Sequence, residues 1–377
     1  MTVGILKEPN YENRVSLLPE QADALIKKNV QVIAETSAGT NAYANDEMYR
    51  TKNVSVVSRN EVLQLSDIIL SINPPSETDI SAAKKNVVLI GIYQPLYNFQ
   101  LIKNWSKKNI TTFSMDILPR TTRAQTMDVL SSQANIAGYK AVLLAANLYP
   151  KYFPMFMTAA GSITPAKVLI LGAGVAGLQA IATAKRLGAV IEVFDTRPAV
   201  KEEVMSLGAK FIEVEGAMDA SSAGGYAVEQ TEEYKQKQKQ KIADAVTKAD
   251  IIITTAQIPG KPAPVLVLDA MMQTMKAGSV IVDLAAATGG NTTQTKNNST
   301  IQYNGVTIVG NSNLPSTMPW DSSKMYGKNV FNFMQLIIKD GMLNLNFEDD
   351  LVKGTCITYN GEVVNERVTN LINQFEI

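Results

Sequence analysis

The clearest chemical signal in this sequence is the glycine series Gly172-x-Gly174-x-x-Gly177, which follows a run of aliphatic residues and precedes a segment of small residues. Glycines at this spacing let a strand turn tightly into a helix, let the backbone approach a pyrophosphate and let the helix pack against the strand. The free N–H groups at the start of the helix would face phosphate oxygens. The series and the intervening Val175 and Ala176 therefore form a candidate dinucleotide site.

An acidic residue follows this unit at the sequence spacing expected of a residue that binds ribose. Asp195 ends the next aliphatic run, 18 residues beyond Gly177, and its carboxylate could accept hydrogen bonds from the adenosine ribose. Its charge would repel a 2′-phosphate, so the sequence favours NAD over NADP. Thr196 and Arg197 belong to the same predicted site. A plain glycine turn is the alternative, but strand, turn, helix, strand and acid follow one another here in the order of a nucleotide-binding unit.

A second group of polar residues lies farther towards the N-terminus and comprises Arg120, Arg123, Gln125 and Asp128. Guanidinium, amide and carboxylate groups could hold a nicotinamide carboxamide and nearby hydroxyls by hydrogen bonds. A polar loop that caps the following helix explains the same residues equally well. We expect that helix to begin near Asn135, where an apolar stripe starts.

Two other segments come directly after predicted strands. In a doubly wound sheet, ligands lie at the carboxyl ends of the strands, so Thr255, Ala256 and Gln257 are candidate cofactor contacts. Asp283 occupies a similar position before the segment 289–291, which reads Gly-Gly-Asn and also favours a simple turn.

The elements that must position these residues alternate between strands and helices with short connections. This order predicts an α/β fold with two Rossmann-like, doubly wound parallel-sheet domains joined by long connector helices. The first domain lacks a glycine fingerprint and is expected to comprise residues 1–130 and 325–377. The NAD(H)-binding domain is expected to comprise residues 131–324.

Composition excludes several other classes of function. The 377 residues include 35 basic and 35 acidic side chains, so no excess of charge points to nucleic acid or to a membrane surface. The single cysteine excludes an intramolecular disulfide and a cysteine-clustered zinc site, and no metal site is predicted. No apolar run reaches the roughly 20 residues that span a bilayer, and the N-terminus lacks the pattern of a signal peptide. There is no histidine to serve as a proton donor in carbonyl reduction.

Several segments together resemble one known family. They read RAQTMDVLSSQANIAGYKAV, KVLILGAGVAGLQAIATAKRLGA, FDTRPAVKEEV, GGYA, TTAQIPGKPAPVLV and MKAGSVIVDLAAATGGN. They closely resemble the NAD(H)-binding component of the alpha subunit of the proton-translocating nicotinamide nucleotide transhydrogenases. The resemblance implies that a loop carrying Arg120, Gln125, Asp128 and Ser131 holds the nicotinamide. It also implies that Tyr226 covers the bound nucleotide from a mobile loop.

The same resemblance implies a reaction and its partners. The family transfers hydride reversibly between NAD(H) on this component and NADP(H) on a beta subunit, coupled to proton translocation by membrane-spanning subunits. It implies a homodimer in the cytoplasm, peripheral on the inner face of the bacterial cytoplasmic membrane. The sequence ends at Ile377 without the hydrophobic helices that fused members of the family carry, so we expect the alpha polypeptide to be split and the membrane component to be separate.

The main alternative is an alanine dehydrogenase, since the segment KEPNYENRVSLLPE is shared with that related family and Arg14 matches its substrate-binding arginine. The lysine, histidine and aspartate that handle protons there should fall near Asn73, Tyr93–Gln94 and Ala287, and none is present. Imine reduction needs a proton donor, whereas hydride exchange between two nicotinamides needs only approach and alignment. A catalytically silent NAD-binding regulator is the third hypothesis.

Overall fold

The computed structural model describes residues 1–216 and 231–375. The chain packs into two units, of which the first comprises Met1–Gln133 with Ser316–Ile377 and the second comprises Ala134–Pro315. No helix in the described ranges is both long and apolar enough to cross a bilayer.

The N-terminal portion of unit 1 alternates strands with helices. Its strands are β1 (Thr2–Ile5), β2 (Gln31–Glu35), β3 (Ser55–Val57), β4 (Ile68–Leu70), β5 (Val88–Gly91) and β6 (Thr111–Ser114). Its helices are α1 (Pro19–Ile26), α2 (Asp46–Arg50), α3 (Arg59–Leu65), α4 (Glu77–Ala82) and α5 (Phe99–Lys107).

The long helix α6 (Val129–Leu148) begins in unit 1 and continues into unit 2. The strands of unit 2 are β7 (Phe156–Thr158), β8 (Gly161–Ile163), β9 (Lys167–Leu171), β10 (Val190–Phe194), β11 (Lys210–Phe211), β12 (Ile251–Thr254), β13 (Val280–Asp283), β14 (Ser299–Tyr303) and β15 (Val306–Gly310). Its remaining helices are α7 (Val175–Arg186), α8 (Lys201–Ser206), α9 (Glu232–Val246) and α10 (Asp269–Met272).

The C-terminal portion of the chain belongs to unit 1. It contains α11 (Pro319–Ile337), β16 (Ile338–Lys339), β17 (Met342–Leu343), α12 (Asp350–Thr355), β18 (Cys356–Tyr359), β19 (Glu362–Val363) and α13 (Glu366–Phe375). Short 3₁₀ helices occupy Thr40–Ala42, Met115–Ile117, Thr122–Met127, Pro198–Val200, Ala286–Thr288 and Leu314–Thr317.

Each unit is built on one large, mainly parallel sheet. The strand order in unit 1 is β19-β18-β6-β5-β4-β1-β2-β3, and that in unit 2 is β11-β10-β9-β12-β13-β15-β14. In both sheets the first strand in sequence lies inside, and the chain winds first to one side and then to the other, as in a Rossmann fold. The predicted fold class is therefore confirmed.

Burial explains why these strands read as unbroken aliphatic runs. In β9, Val168 and Ile170 pack into one hydrophobic cluster, and Leu169 and Leu171 pack into another on the opposite face. A strand that is covered on both faces needs apolar side chains at every position.

The structure differs from the sequence-based expectation in two places. Helix α6 begins at Val129 and not near Asn135, because the preceding Asp128 caps it. The sheets are also not purely parallel, since β18 pairs antiparallel with β6 and β14 pairs antiparallel with β15. Antiparallel strands near the edge of such sheets are common, and no sequence pattern marks their direction.

Candidate nucleotide site

The glycine turn has the geometry that its spacing predicts. Gly172 has a φ of 106°, which favours glycine, and a Cβ there would lie 2.4 Å from Oγ1 of Thr255. A Cβ on Gly177 would lie 1.9 Å from the carbonyl oxygen of Gly172, so the first turn of α7 packs directly against the end of β9. Gly174 differs, because a Cβ there would meet no atom of the described residues within 4 Å. Its missing side chain leaves space beside the backbone.

The start of α7 has the features of an anion site. Gly174 is the N-cap residue, and no side chain caps the helix there. The first turn carries no acid, and the last turn carries Lys185 and Arg186. An uncapped helix start presents free N–H groups and a partial positive charge. Val175 is 39% exposed beside these groups, and Ala176 is partly buried. Open space and unshared donors fit the pyrophosphate of a dinucleotide.

A second predicted segment meets the glycine turn at the centre of the sheet. Strands β9 and β12 are parallel neighbours at the point where the strand order reverses, which is where ligands bind in doubly wound sheets. The Thr255 N–H donates to Leu171 O at 2.9 Å, and its Oγ1 donates to Gly172 O at 3.0 Å. Residues more than 80 positions apart therefore form one rim of the candidate site.

The segment after Thr255 is held by Asn291, which no sequence motif identifies as a site residue. Asn291 is fully buried, and its Nδ2 donates to Ala256 O at 2.9 Å and to Pro264 O at 2.8 Å. Its Oδ1 accepts from the Ala256 N–H at 3.0 Å. The exposed Gln257 donates from Nε2 to Leu284 O at 3.1 Å.

Asp283 in turn holds Asn291, since its carboxylate accepts the Asn291 N–H at 2.6 Å and the Thr295 hydroxyl at 2.6 Å. A buried acid at the end of a strand followed by Gly-Gly-Asn was the available signal for this arrangement. The sequence could not show which distant backbone groups Asn291 would bind.

Asp195 lies where the sequence predicts it, directly after β10, and is buried. Its Oδ2 accepts the N–H of Ala173 at 2.7 Å, which ties the acid to the glycine turn. Its other partners among the described residues are donors of Arg197, whose side chain folds back and forms an ion pair at 2.7 Å. The carboxylate raises the pKa of the Arg197 guanidinium. Thr196 between them is partly buried, and Tyr226 lies outside the described residues.

The predicted nicotinamide loop makes several polar contacts within unit 1. Asp128 and Ser131 are together, since the Ser131 N–H donates to Asp128 Oδ1 at 2.9 Å and its hydroxyl donates to Oδ2 at 2.6 Å. This is the geometry of a helix N-cap, so the capping role considered from the sequence does occur. Arg120 and Gln125 are exposed on the same loop.

Residues from the C-terminal portion of the chain fix this loop. Thr126 O accepts the amide of Asn329 on α11 at 2.8 Å, and Arg123 forms ion pairs with Asp349 and Asp350 at the start of α12. Arg123 thus serves to anchor the loop. These partners are more than 200 positions away in sequence, and no local pattern marks them.

Comparison with known proteins agrees with this geometry. Residues 4–137 match the family model described as alanine dehydrogenase/PNT, N-terminal domain, and residues 141–366 match the corresponding C-terminal domain. The chain is 45% identical to a protein of Rickettsia prowazekii. That protein is named as the first part of an NAD(P) transhydrogenase subunit alpha. The match extends over 97% of this chain and 96% of that protein.

The chain belongs to the NAD(P) transhydrogenase alpha-subunit family.

The structure of a transhydrogenase from Sinorhizobium meliloti superposes with a TM-score of 0.89 at 43% identity, over 97% of this chain and all of that chain. An alanine dehydrogenase from Staphylococcus saprophyticus is a more distant relative, with 26% identity over 99% of this chain and 97% of that protein. The transhydrogenase resemblance stated from the sequence is therefore confirmed, and alanine dehydrogenase is the remoter branch.

Arg14, which the sequence resemblance matched to the substrate-binding arginine of alanine dehydrogenases, lies in a buried polar cluster of unit 1. Nε and Nη2 of Arg14 donate to the two carboxylate oxygens of Glu12 at 2.8 and 2.6 Å, and Nη1 donates to Oε1 of Gln133 at 2.8 Å. A bidentate pair with an internal acid neutralises the charge that a substrate carboxylate would bind. This transhydrogenase-family chain therefore lacks a free carboxylate anchor at Arg14.

The same cluster predicts a dependence of stability on pH. Burial raises the pKa of the Glu8 carboxyl from 4.5 to about 7, although Ile72 and Asn73 donate hydrogen bonds to it. A raised folded-state pKa means that the folded protein binds more protons between these values. Stability should therefore fall as pH rises from about 4.5 to about 7 and then level out. Relative to Glu8→Gln, wild type should lose about 2 kcal/mol of unfolding free energy between pH 5 and pH 8.

Chemical denaturation of both proteins at each pH measures this difference, and the contributions of other titrating groups cancel in the comparison. Parallel stability–pH curves for the two proteins would show that Glu8 is not the titrating group.

Proposed function

We propose that this chain is the NAD(H)-binding subunit of an NAD(P) transhydrogenase and exchanges hydride with NADP(H) bound by a partner subunit. The observation that carries the proposal is the convergence of the glycine turn, the uncapped start of α7 and the Thr255 segment at the strand-order reversal of unit 2. Membership of the transhydrogenase family supplies the reaction.

In this proposal the residues of unit 2 hold and identify the dinucleotide. The N–H groups of Val175, Ala176 and Gly177 would hold the pyrophosphate, and the Asp195 carboxylate would accept hydrogen bonds from the adenosine ribose. Asn291 would fix the backbone at Ala256 that lines the site.

The nicotinamide, when bound, supplies the hydride. Arg120, Gln125, Asp128 and Ser131 would orient its ring and carboxamide by hydrogen bonds. Because no proton moves at the reacting carbons, these residues need no histidine among them, and the sequence contains none. The neutralised Arg14 and the lack of a proton-handling set disfavour amino-acid oxidation by the same chain.

The family name implies an assembly, since the matched relatives are called alpha subunits. We propose that an NADP(H)-binding beta subunit and membrane-spanning subunits complete the enzyme. The chain would then lie on the cytoplasmic side, peripheral on the inner face of the bacterial cytoplasmic membrane, and proton translocation would occur in its partners.

A homodimer is supported by an exposed apolar hairpin in unit 2. Strands β7 and β8 pair with each other and with no other described strand. Met155 and Met157 are 65% and 73% exposed, and Phe156 stacks on Tyr152 with ring centroids 5.2 Å apart. A cluster of this kind is costly to leave in water. We propose that a second copy of the chain covers it.

We expect Met157→Asp to weaken the dimer at least about tenfold, because the charge would be buried in an apolar contact. Sedimentation velocity across a concentration series measures the change. Met342→Asp is a matched control, since Met342 is also a 67% exposed methionine in a two-stranded hairpin. If both variants dissociated to the same extent, or if neither dissociated, the interface would not lie at the β7–β8 hairpin.

A mixing assay tests the proposed reaction. The purified chain should bind NADH but not NADPH, and it should catalyse no hydride transfer by itself. Adding a purified NADP(H)-binding transhydrogenase subunit should start reduction of an NAD analogue by NADPH. Oxidation of NADH by the chain alone with pyruvate and ammonia would instead establish an alanine dehydrogenase. Binding of NADH without any rate in the mixture would indicate a silent regulator.

A further inference from the structure

The ribose-binding acid has no acceptor position left for ribose in this structure. A carboxylate has about four lone-pair sites, two on each oxygen. Oδ1 of Asp195 accepts the Arg197 backbone N–H at 2.8 Å and its Nε at 2.9 Å. Oδ2 accepts the Ala173 N–H at 2.7 Å and Nη2 of Arg197 at 2.7 Å. A ribose hydroxyl can bind only if it replaces one of these donors.

The two backbone donors are fixed by the turn, so the guanidinium of Arg197 is the group that can leave. Its side chain is 19% exposed, whereas that of Asp195 is 5% exposed, so the arginine forms the outer layer of the pair. A guanidinium is also the group that binds phosphate most effectively, through parallel N–H donors. Nucleotide sites that accept NADP commonly place an arginine beside the adenosine ribose.

We propose that Arg197 is a latent ligand for the 2′-phosphate of NADP, which Asp195 keeps occupied. On this account the acid excludes NADP in two ways, since it repels the phosphate and also withholds the guanidinium that would bind it. Removal of the acid should do more than abolish ribose binding. It should convert the adenosine end of the site to a preference for a 2′-phosphate. This inference rests on the proposed NAD(H) site.

The neighbouring charges limit the size of the effect. Lys201, the next cation along the chain, is paired with Glu213 and does not compete for the phosphate. Glu203 acts electrostatically on Arg197 from the adjacent helix α8 and remains when Asp195 is removed. Because Glu203 would still act on Arg197, a moderate gain in phosphate affinity is expected.

Adenosine 5′-monophosphate and adenosine 2′,5′-bisphosphate are the sharpest probes, because they differ only in the 2′-phosphate. Calorimetry should show that wild type prefers the monophosphate. In Asp195→Ser the affinity for the bisphosphate should rise about tenfold over wild type, and that for the monophosphate should fall. In Asp195→Ser/Arg197→Ala this gain should disappear. If the double variant kept the gain, Arg197 would not be the phosphate ligand and Asp195 would act only by repelling the 2′-phosphate. That result would overturn the proposal.

Two further measurements keep the test decisive. Asp195→Asn keeps an acceptor for the Ala173 N–H, and it should show the same gain if Asp195→Ser proves unstable on thermal melting. No gain in a folded variant of either kind would also overturn the inference. Wild type that binds neither NADH nor the monophosphate would instead refute the proposed function, so the two failures are distinguishable.

Discussion

Asp128→Asn is expected to lower the rate of hydride transfer about a hundredfold and to change the NADH dissociation constant by no more than about threefold. Asparagine is as good an N-cap as aspartate, so the start of α6 and its bond to the Ser131 N–H should persist. What is lost is the negative charge that receives the Ser131 hydroxyl at 2.6 Å. Single-turnover transfer to an NADP(H)-binding subunit and equilibrium binding of NADH measure the two quantities.

Two controls separate this chemistry from helix capping. Asp128→Ala removes both the charge and the cap and should cost about 1 kcal/mol of stability in addition to the loss of rate. Ser58→Ala removes the capping box of α3 and should lower stability without changing the rate. Small, equal effects of Asp128→Asn on rate and binding would mean that Asp128 is only a cap.

Gly174→Ala is expected to weaken NADH binding at least about thirtyfold while leaving the melting temperature within about 2 °C of wild type. Within residues 1–216 and 231–375, the new methyl group would meet no atom closer than 4 Å. The φ of Gly174 is −76°, so the backbone accepts alanine without strain. The methyl group would instead occupy the space through which a pyrophosphate approaches the N–H groups of α7. Fluorescence titration and thermal unfolding on the same sample measure both effects.

Gly177→Ala provides the contrast, because its methyl group would lie 1.9 Å from the Gly172 carbonyl oxygen. That variant should unfold at a lower temperature and lose NADH binding together with stability. Unchanged NADH affinity in Gly174→Ala would place the phosphates away from the glycine turn.

Local patterns account for the features of this protein that could be predicted. Strand, turn, helix and acid follow one another within Lys167–Asp195, and each depends on neighbours only a few positions away. Glycine spacing sets sterics within a single turn, so the nucleotide unit and the α/β class could be derived without a structure. The predicted start of α6 was wrong by several residues because the segment 131–135 is largely polar and the apolar stripe starts only at Ile136. The cap at Asp128 could also be assigned to a binding role.

Only the tertiary structure decided which groups hold the predicted residues in place. Asn291 holds Ala256, and Asn329 holds the loop at Thr126, across separations of 35 and 203 positions, and hydrogen bonds of that range leave no periodic trace in a sequence. The pairing of Asp195 with Arg197 is close in sequence, but it depends on how one side chain folds back. The sequence by itself determined that NAD is favoured at a glycine turn, because that signal is local. The structure decided that Arg197 pairs with the Asp195 carboxylate, because that pairing depends on side-chain conformation.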